Sequence, residues 1–131
     1  MPLSVQITKN RKYYLNLNTY RNTNYMVLNK AKKLFSETVT PALNNLPAFS
    51  RVTLEYVLYT RTRRILDISN VCSVVDKFFC DALVRSGHLE DDSFKFINRI
   101  VYSYGGMDSD NPRVDVHITG EIKDADYSEP E

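Results

Sequence analysis

The segment RVTLEYVLY (51–59) is the strongest constraint on what this chain can fold into. Val52, Leu54, Tyr56 and Leu58 alternate with Thr53, Glu55, Val57 and Tyr59, and a period of two puts each set on its own side of an extended backbone. Such a strand needs partners in a sheet and a layer to cover its apolar side. The rest of the chain supplies both. LSVQIT (3–8) predicts a first strand, followed by a loop over 9–24 rich in Asn, Tyr and basic residues. Residues 25–39 predict a helix with Leu28, Ala31, Phe35 and Val39 on one face, ended or kinked at Pro41 because a proline pushes Thr40 out of the helical region. A second helix is expected over 69–85, with Gly87 as its cap. FKFINRIVYSY (94–104) and RVDVHITG (113–120), the latter with Val114, Val116 and Ile118 inward, read as strands joined by the turn-rich GGMDSDNP into an antiparallel hairpin.

The order β-α-β-α-β-β predicts an α+β fold, a four-stranded mixed sheet covered by two helices. A chain of 131 residues with 43% hydrophobic and 25% charged residues suits one globular domain over 1–120. No apolar run approaches the roughly 18–20 residues of a membrane span. The start MPLSVQITKNRK has no signal-peptide core, so a cytoplasmic protein is expected. Cys72 and Cys80 lie on one helix about 12 Å apart at ~1.5 Å per residue, too far for a disulfide. Without a CxxC pair they read as small buried hydrophobes.

A net charge of +1 hides an uneven distribution. The last eleven residues, EIKDADYSEPE, carry −4 and read as an acidic, disordered tail over 121–131, leaving 1–120 at +5. The basic groups lie in KNRK (9–12), KAKK (30–33) and RTRR (61–64). A basic body permits a nucleic-acid partner without demanding one.

On a wheel with Asn70 at zero and about 100° per residue, Val71, Val74, Val75, Phe78 and Ala82 form a buried stripe between roughly 40° and 140°. Asn70, Lys77 and Asp81 align at its edge, while Asp76 lies more than about 100° from that line and reads as solvated. The plain meaning of Lys77 and Asp81 is an i,i+4 ion pair.

At these residues the sequence resembles the RusA-like Holliday junction resolvases, a family common in phages and prophages. KNRKYY (9–14), RTRR (61–64), DISN (67–70), Lys77 with DAL (81–83), Gly87 and EDD (90–92) follow the family's order over nearly the whole chain. Two departures stand out. Ser69 occupies the place of the second Asp of D-x-D-N, and the stretch from DISN to Lys77 is about four residues longer than the family pattern.

The resemblance implies a homodimeric endonuclease, dependent on magnesium (or manganese), that nicks branched DNA symmetrically in a bacterial host cell. It implies no organic cofactor and no membrane. Carried over by position, Asp67 and Asp92 are catalytic carboxylates and Lys77 the accompanying lysine. Asp67, Asp81, Asp91 and Asp92 are the candidate metal ligands, since magnesium takes carboxylate oxygens and water. A straight helix over 69–85 would hold its ends about 24 Å apart, so for Asp67 and Asp92 to share a metal either the helix is broken near its start or, the favoured expectation, the site is completed across a two-fold axis. The alternative is a junction-binding protein weakened or inactivated by Ser69.

Arg61, Arg63 and Arg64 are expected to hold phosphates. Lys9, Arg11 and Lys12 would contact the DNA backbone, with Tyr13 and Tyr14 stacking on bases or simply packing. Lys30, Lys32 and Lys33 read as a soluble helix face. His88 reads as an exposed loop histidine and His117 as an outward strand residue.

Overall fold

The computed structural model describes residues 1–123 of the chain. Its elements are β1 (Ser4–Thr8), β2 (Arg11–Tyr14), α1 (Leu17–Arg21), α2 (Tyr25–Leu43), β3 (Phe49–Thr60), α3 (Ile68–Arg85), β4 (Ile97–Met107) and β5 (Arg113–Ile122). This is a single α+β domain with a mixed sheet, but the strands divide differently from expectation. Three form one sheet in the order β4-β3-β5, and two form a separate hairpin, β1-β2.

β3 is central because its inward residues allow nothing else. Val52, Leu54, Tyr56 and Leu58 are at most 1% exposed, which requires neighbours on both edges and a layer above. β4 runs parallel to β3 and β5 antiparallel to it. The expected β4–β5 hairpin therefore does not form. The connection 108–112 instead crosses the end of β3, where the Asp108 amide donates to the Thr60 carbonyl at 2.8 Å. Arg113 anchors the crossing, donating to Asp108 at 2.8 Å and to Asp115 at 3.0 Å while its guanidinium lies 4.2 Å from the Tyr59 ring centroid. Gly120 permits close approach of β5 at the irregular start of β3: a Cβ there would sit 2.2 Å from the Arg51 carbonyl oxygen.

α3 packs on one face of the sheet, and α2 packs on α3. The segment read as a loop over 9–24 instead contains β2 and α1. In β2, Tyr13 turns inward while Lys12 and Tyr14 remain exposed. α1 is capped by Asn16, whose side-chain oxygen accepts from the Thr19 amide at 2.8 Å. α2 runs through Pro41 to Leu43, four residues beyond the expected end. The bond a proline cannot donate would have gone to the carbonyl of exposed Glu37, and burial of Leu43 holds the last turn against the core. Of the segment 121–131 read as an acidic tail, Glu121 and Ile122 belong to β5 and the Lys123 amide donates to the Ala48 carbonyl at 2.8 Å; residues 124–131 lie outside the described residues.

The centre of the packing is Phe78 on α3. Its ring lies 5.6 Å from Phe35 of α2, edge to face, and 5.6 Å from Tyr13 of β2. Phe78→Ala is expected to destabilise the fold by about 3–5 kcal/mol through lost contacts and a cavity, measured as a lower midpoint of urea denaturation. An unchanged midpoint would mean that the hairpin and α2 are not held through this ring.

Candidate functional site

Two basic segments far apart in sequence line one cleft. Strand alternation sends Lys12 and Tyr14 outward because Tyr13 and Leu15 are buried. At the other wall, β3 ends at buried Thr60, whose hydroxyl donates to the Thr62 carbonyl and bonds the Tyr104 hydroxyl, both at 2.9 Å. The chain is thereby turned out of the sheet, and Arg61 and Arg64 line the cleft opposite the hairpin. Lys12, Tyr14, Thr60, Arg61, Arg64 and Asn111 surround a space of about 670 Å³. Arg63 lines an adjoining depression of about 260 Å³ with Ile65, Ile68 and Tyr104. Lys9 and Arg11 are exposed at the hairpin tip and are not among the residues lining either space. Three cations around a trough carrying hydroxyl and amide groups suit an extended polyanion.

Asp67 stands at the margin of this basic region, one residue after Leu66, which lines both spaces. It caps α3, accepting from the Ser69 amide at 3.2 Å and from the Ser69 hydroxyl at 2.9 Å. A second carboxylate at position 69 would repel Asp67, whereas the serine bonds it. Asn70 serves the packing, because its side-chain oxygen accepts from the Leu17 amide at 3.2 Å and so ties α1 to α3.

The other expected site residues lie elsewhere. Lys77 does not pair with Asp81; its ammonium sits 5.7 Å from the Tyr20 ring centroid. Asp81 pairs with Arg85 at 2.7 Å. Asp91 and Asp92 are exposed beyond the end of α3, with Asp92 close enough to Cys80 for its charge to oppose ionisation of the thiol. α3 is unbroken, so Asp67 and Cys80 are about 20 Å apart along it. Within one chain, Asp67, Asp81, Asp91 and Asp92 do not converge on a common magnesium ion. His88 is buried rather than exposed. Its Nδ1 lies 2.7 Å from the Ser86 hydroxyl, and its carbonyl accepts from the Phe49 amide at 2.7 Å.

The carboxylate that sequence reasoning set aside has the richest environment. Asp76 faces the sheet and accepts from Tyr56 at 2.7 Å, from Cys80 at 3.3 Å and from Tyr102 at 3.5 Å. α3 carries two buried stripes. Val74, Val75, Phe78 and Ala82 form the expected one, while Cys72, Phe79, Cys80 and Leu83, all buried, form a second at roughly 180–280° on the same wheel. Asp76 falls at about 240°, inside that second stripe; the spacing of Cys72, Phe79 and Leu83 was the available signal.

Burial, reinforced by the Asp76 charge, raises the Cys72 thiol to about 11 and the Tyr102 hydroxyl to about 12. Burial also pushes the Cys80 and Tyr56 groups well up. These groups hold their protons and donate them to Asp76 or pack as neutral side chains.

No protein-family model matches this chain, and no curated protein sequence matches it. Among the described residues, no helix is long and apolar enough to cross a membrane.

A thiol or phenol whose folded pKa is raised contributes stability that is complete below its unfolded value and is lost as pH climbs toward the folded one. The melting temperature is therefore expected to fall as pH rises from 9, the ordinary thiol value, toward 11. Asp76→Ala should cost about 1–3 kcal/mol at neutral pH by stranding the Tyr56 hydroxyl. Thermal melts followed by circular dichroism check both; a flat alkaline profile would place these groups in water.

Proposed function

We propose that this chain binds branched DNA through the cleft lined by Lys12, Arg61 and Arg64, and that it acts as a homodimeric, RusA-like, magnesium-dependent endonuclease in the cytoplasm of a bacterial host. The observation that carries the reading is the convergence of KNRK and RTRR residues on one cleft next to Asp67. Phosphate contacts by arginine and lysine supply most of the affinity of a protein for nucleic acid, and they make it salt-dependent. Tyr14, 55% exposed at the cleft, adds an aromatic face on which an unstacked base at a junction can rest.

Unbroken α3 keeps Asp67 of one chain far from its own Asp92, so cleavage in this reading belongs to the dimer, with Asp67 of one subunit working beside Asp92 of the other. When bound there, magnesium would supply a Lewis acid for phosphodiester hydrolysis. Asp67 keeps one carboxylate oxygen free of the helix cap for such a role, since both Ser69 bonds fall on its Oδ1.

A second reading is a junction-binding protein without cleavage. Two observations favour it: Asp81 is engaged by Arg85, and Ser69 supplies a hydroxyl where the family pattern has a carboxylate.

A synthetic four-way junction separates the readings. Arg61→Glu with Arg64→Glu is expected to weaken junction binding at least about tenfold and to reduce the salt slope by about two. Paired symmetric nicks that need magnesium and vanish in Asp67→Asn would establish the endonuclease. Binding without nicks would establish the second reading, and salt-insensitive or absent binding would remove both.

A further inference from the structure

β4 has one free side. The sheet order leaves its outer edge without a strand among the described residues. β5's outer edge is instead occupied at Val114, whose amide donates to the Met1 carbonyl at 3.1 Å and whose carbonyl accepts from the Met1 ammonium at 2.6 Å. β4 is eleven residues long and none of them is buried. Exposed edges of this kind are normally blunted by lysine, proline or shortness, because they template pairing with another strand. INRIVYSYGGM contains neither lysine nor proline and one charge, Arg99. Its register irregularities fall near its two ends, which leaves Arg99–Tyr104 regular.

The surroundings of the two ends are complementary. α3 starts beside the C-terminal end of β4, where Ile68, Arg63, Arg64 and Ile65 share a depression with Tyr104. Near the N-terminal end, the chain entering β4 carries Glu90, Asp91 and Asp92, then Phe94. Ile65 is 96% exposed and Phe94 82%, the two highest values among the large hydrophobic residues described. One end is basic and the other acidic, and each presents one bare apolar side chain.

We propose that a second copy of this chain adds antiparallel to the outer edge of β4 about a two-fold axis at Tyr102, joining two three-stranded sheets into one of six strands. Such a contact is isologous, so it sets the N-terminal end of each β4 against the C-terminal end of the other. Centred on Tyr102, it faces half-exposed Ile100 with Tyr104 of the partner subunit. Arg99 faces the partner's Gly105, so like charges do not oppose. At each end the acidic 90–92 segment and Phe94 approach Arg63 and Ile65 of the other copy, which covers the two barest apolar side chains and sets the acids against an arginine that lies outside the Lys12–Arg61–Arg64 cleft. The same operation carries the loop that holds Asp92 toward the partner subunit's Asp67, the cap of α3, whereas within one chain the length of α3 separates them. The value of that last consequence rests on the endonuclease reading; the interface itself is judged by association alone.

Sedimentation equilibrium of the full chain is the test, without DNA or metal. The wild type is expected to dimerise at micromolar concentration. Ile100→Lys should raise the dissociation constant about tenfold or more while keeping a wild-type circular dichroism spectrum, and His117→Lys on β5 should change nothing. Val101→Cys with Ser103→Cys should give a covalent dimer on mild oxidation, because these positions oppose each other across the axis. A wild type that stays monomeric at about 100 µM, or a dimer that neither responds to Ile100→Lys nor crosslinks at 101 and 103, overturns the interface whatever a junction assay reports. A β4-linked dimer that ignores junctions leaves the interface standing and removes the endonuclease reading.

Discussion

Burial of α3 on two opposite sides is the constraint on which the other features depend. Phe78 points toward Tyr13 and Phe35, and Phe79 points toward Tyr56 in the sheet, with ring centroids 6.2 Å apart and planes near perpendicular. A helix with one apolar stripe joins two layers; this one joins the sheet below to α2 and the hairpin above. The arrangement has a polar cost, since Asp76 lies in the sheet-facing stripe. Tyr56 and Cys80 offset it by donating to the carboxylate. It also makes α3 a rigid spacer, which keeps Asp67 at its start apart from Asp92 near Cys80.

The same layering creates the basic cleft. With the hairpin carried on the far side of α3 rather than in the sheet, Lys12 is brought opposite Arg61 and Arg64, 49 and 52 residues away in sequence. The net charge of +1 says little about such a surface; the local concentration of cations is what an anionic partner meets. Asp67 joins that surface because the cap of α3 begins where the link from β3 ends.

Much of the fold was legible in local patterns. The alternation of RVTLEYVLY marked β3, the period of 25–39 marked α2, and the approximate extents of α3 and β5 followed from the same rules. What failed shares a physical cause. β2 is four residues long and mostly exposed, so no alternation of apolar groups announces it. α1 has five residues and buries none, leaving the Asn16 cap as its one signal. Asp76 reads as solvated against the stripe of Val74, Val75, Phe78 and Ala82, but α3 has a second stripe and Asp76 lies within it. Lys77 and Asp81 had suitable spacing for an ion pair, yet Tyr20 and Arg85 competed for them. His88 was read as exposed from its loop position, although its carbonyl holds the start of β3.

Amino-acid order alone determined the main helices, the central strand, the candidate basic segments and the carboxylates around α3, because those depend on period, capping and charge within about twenty residues. Tertiary structure decided which strands pair, which side of α3 each polar residue faces, and which charged groups meet. Sheet order is set by the competition of β4 and β5 for the two edges of β3. That competition is won by long-range burial, to which a turn-rich linker such as GGMDSDNP is indifferent. The convergence of Lys12 with Arg61 and Arg64, and the separation of Asp67 from Asp92, follow from that packing.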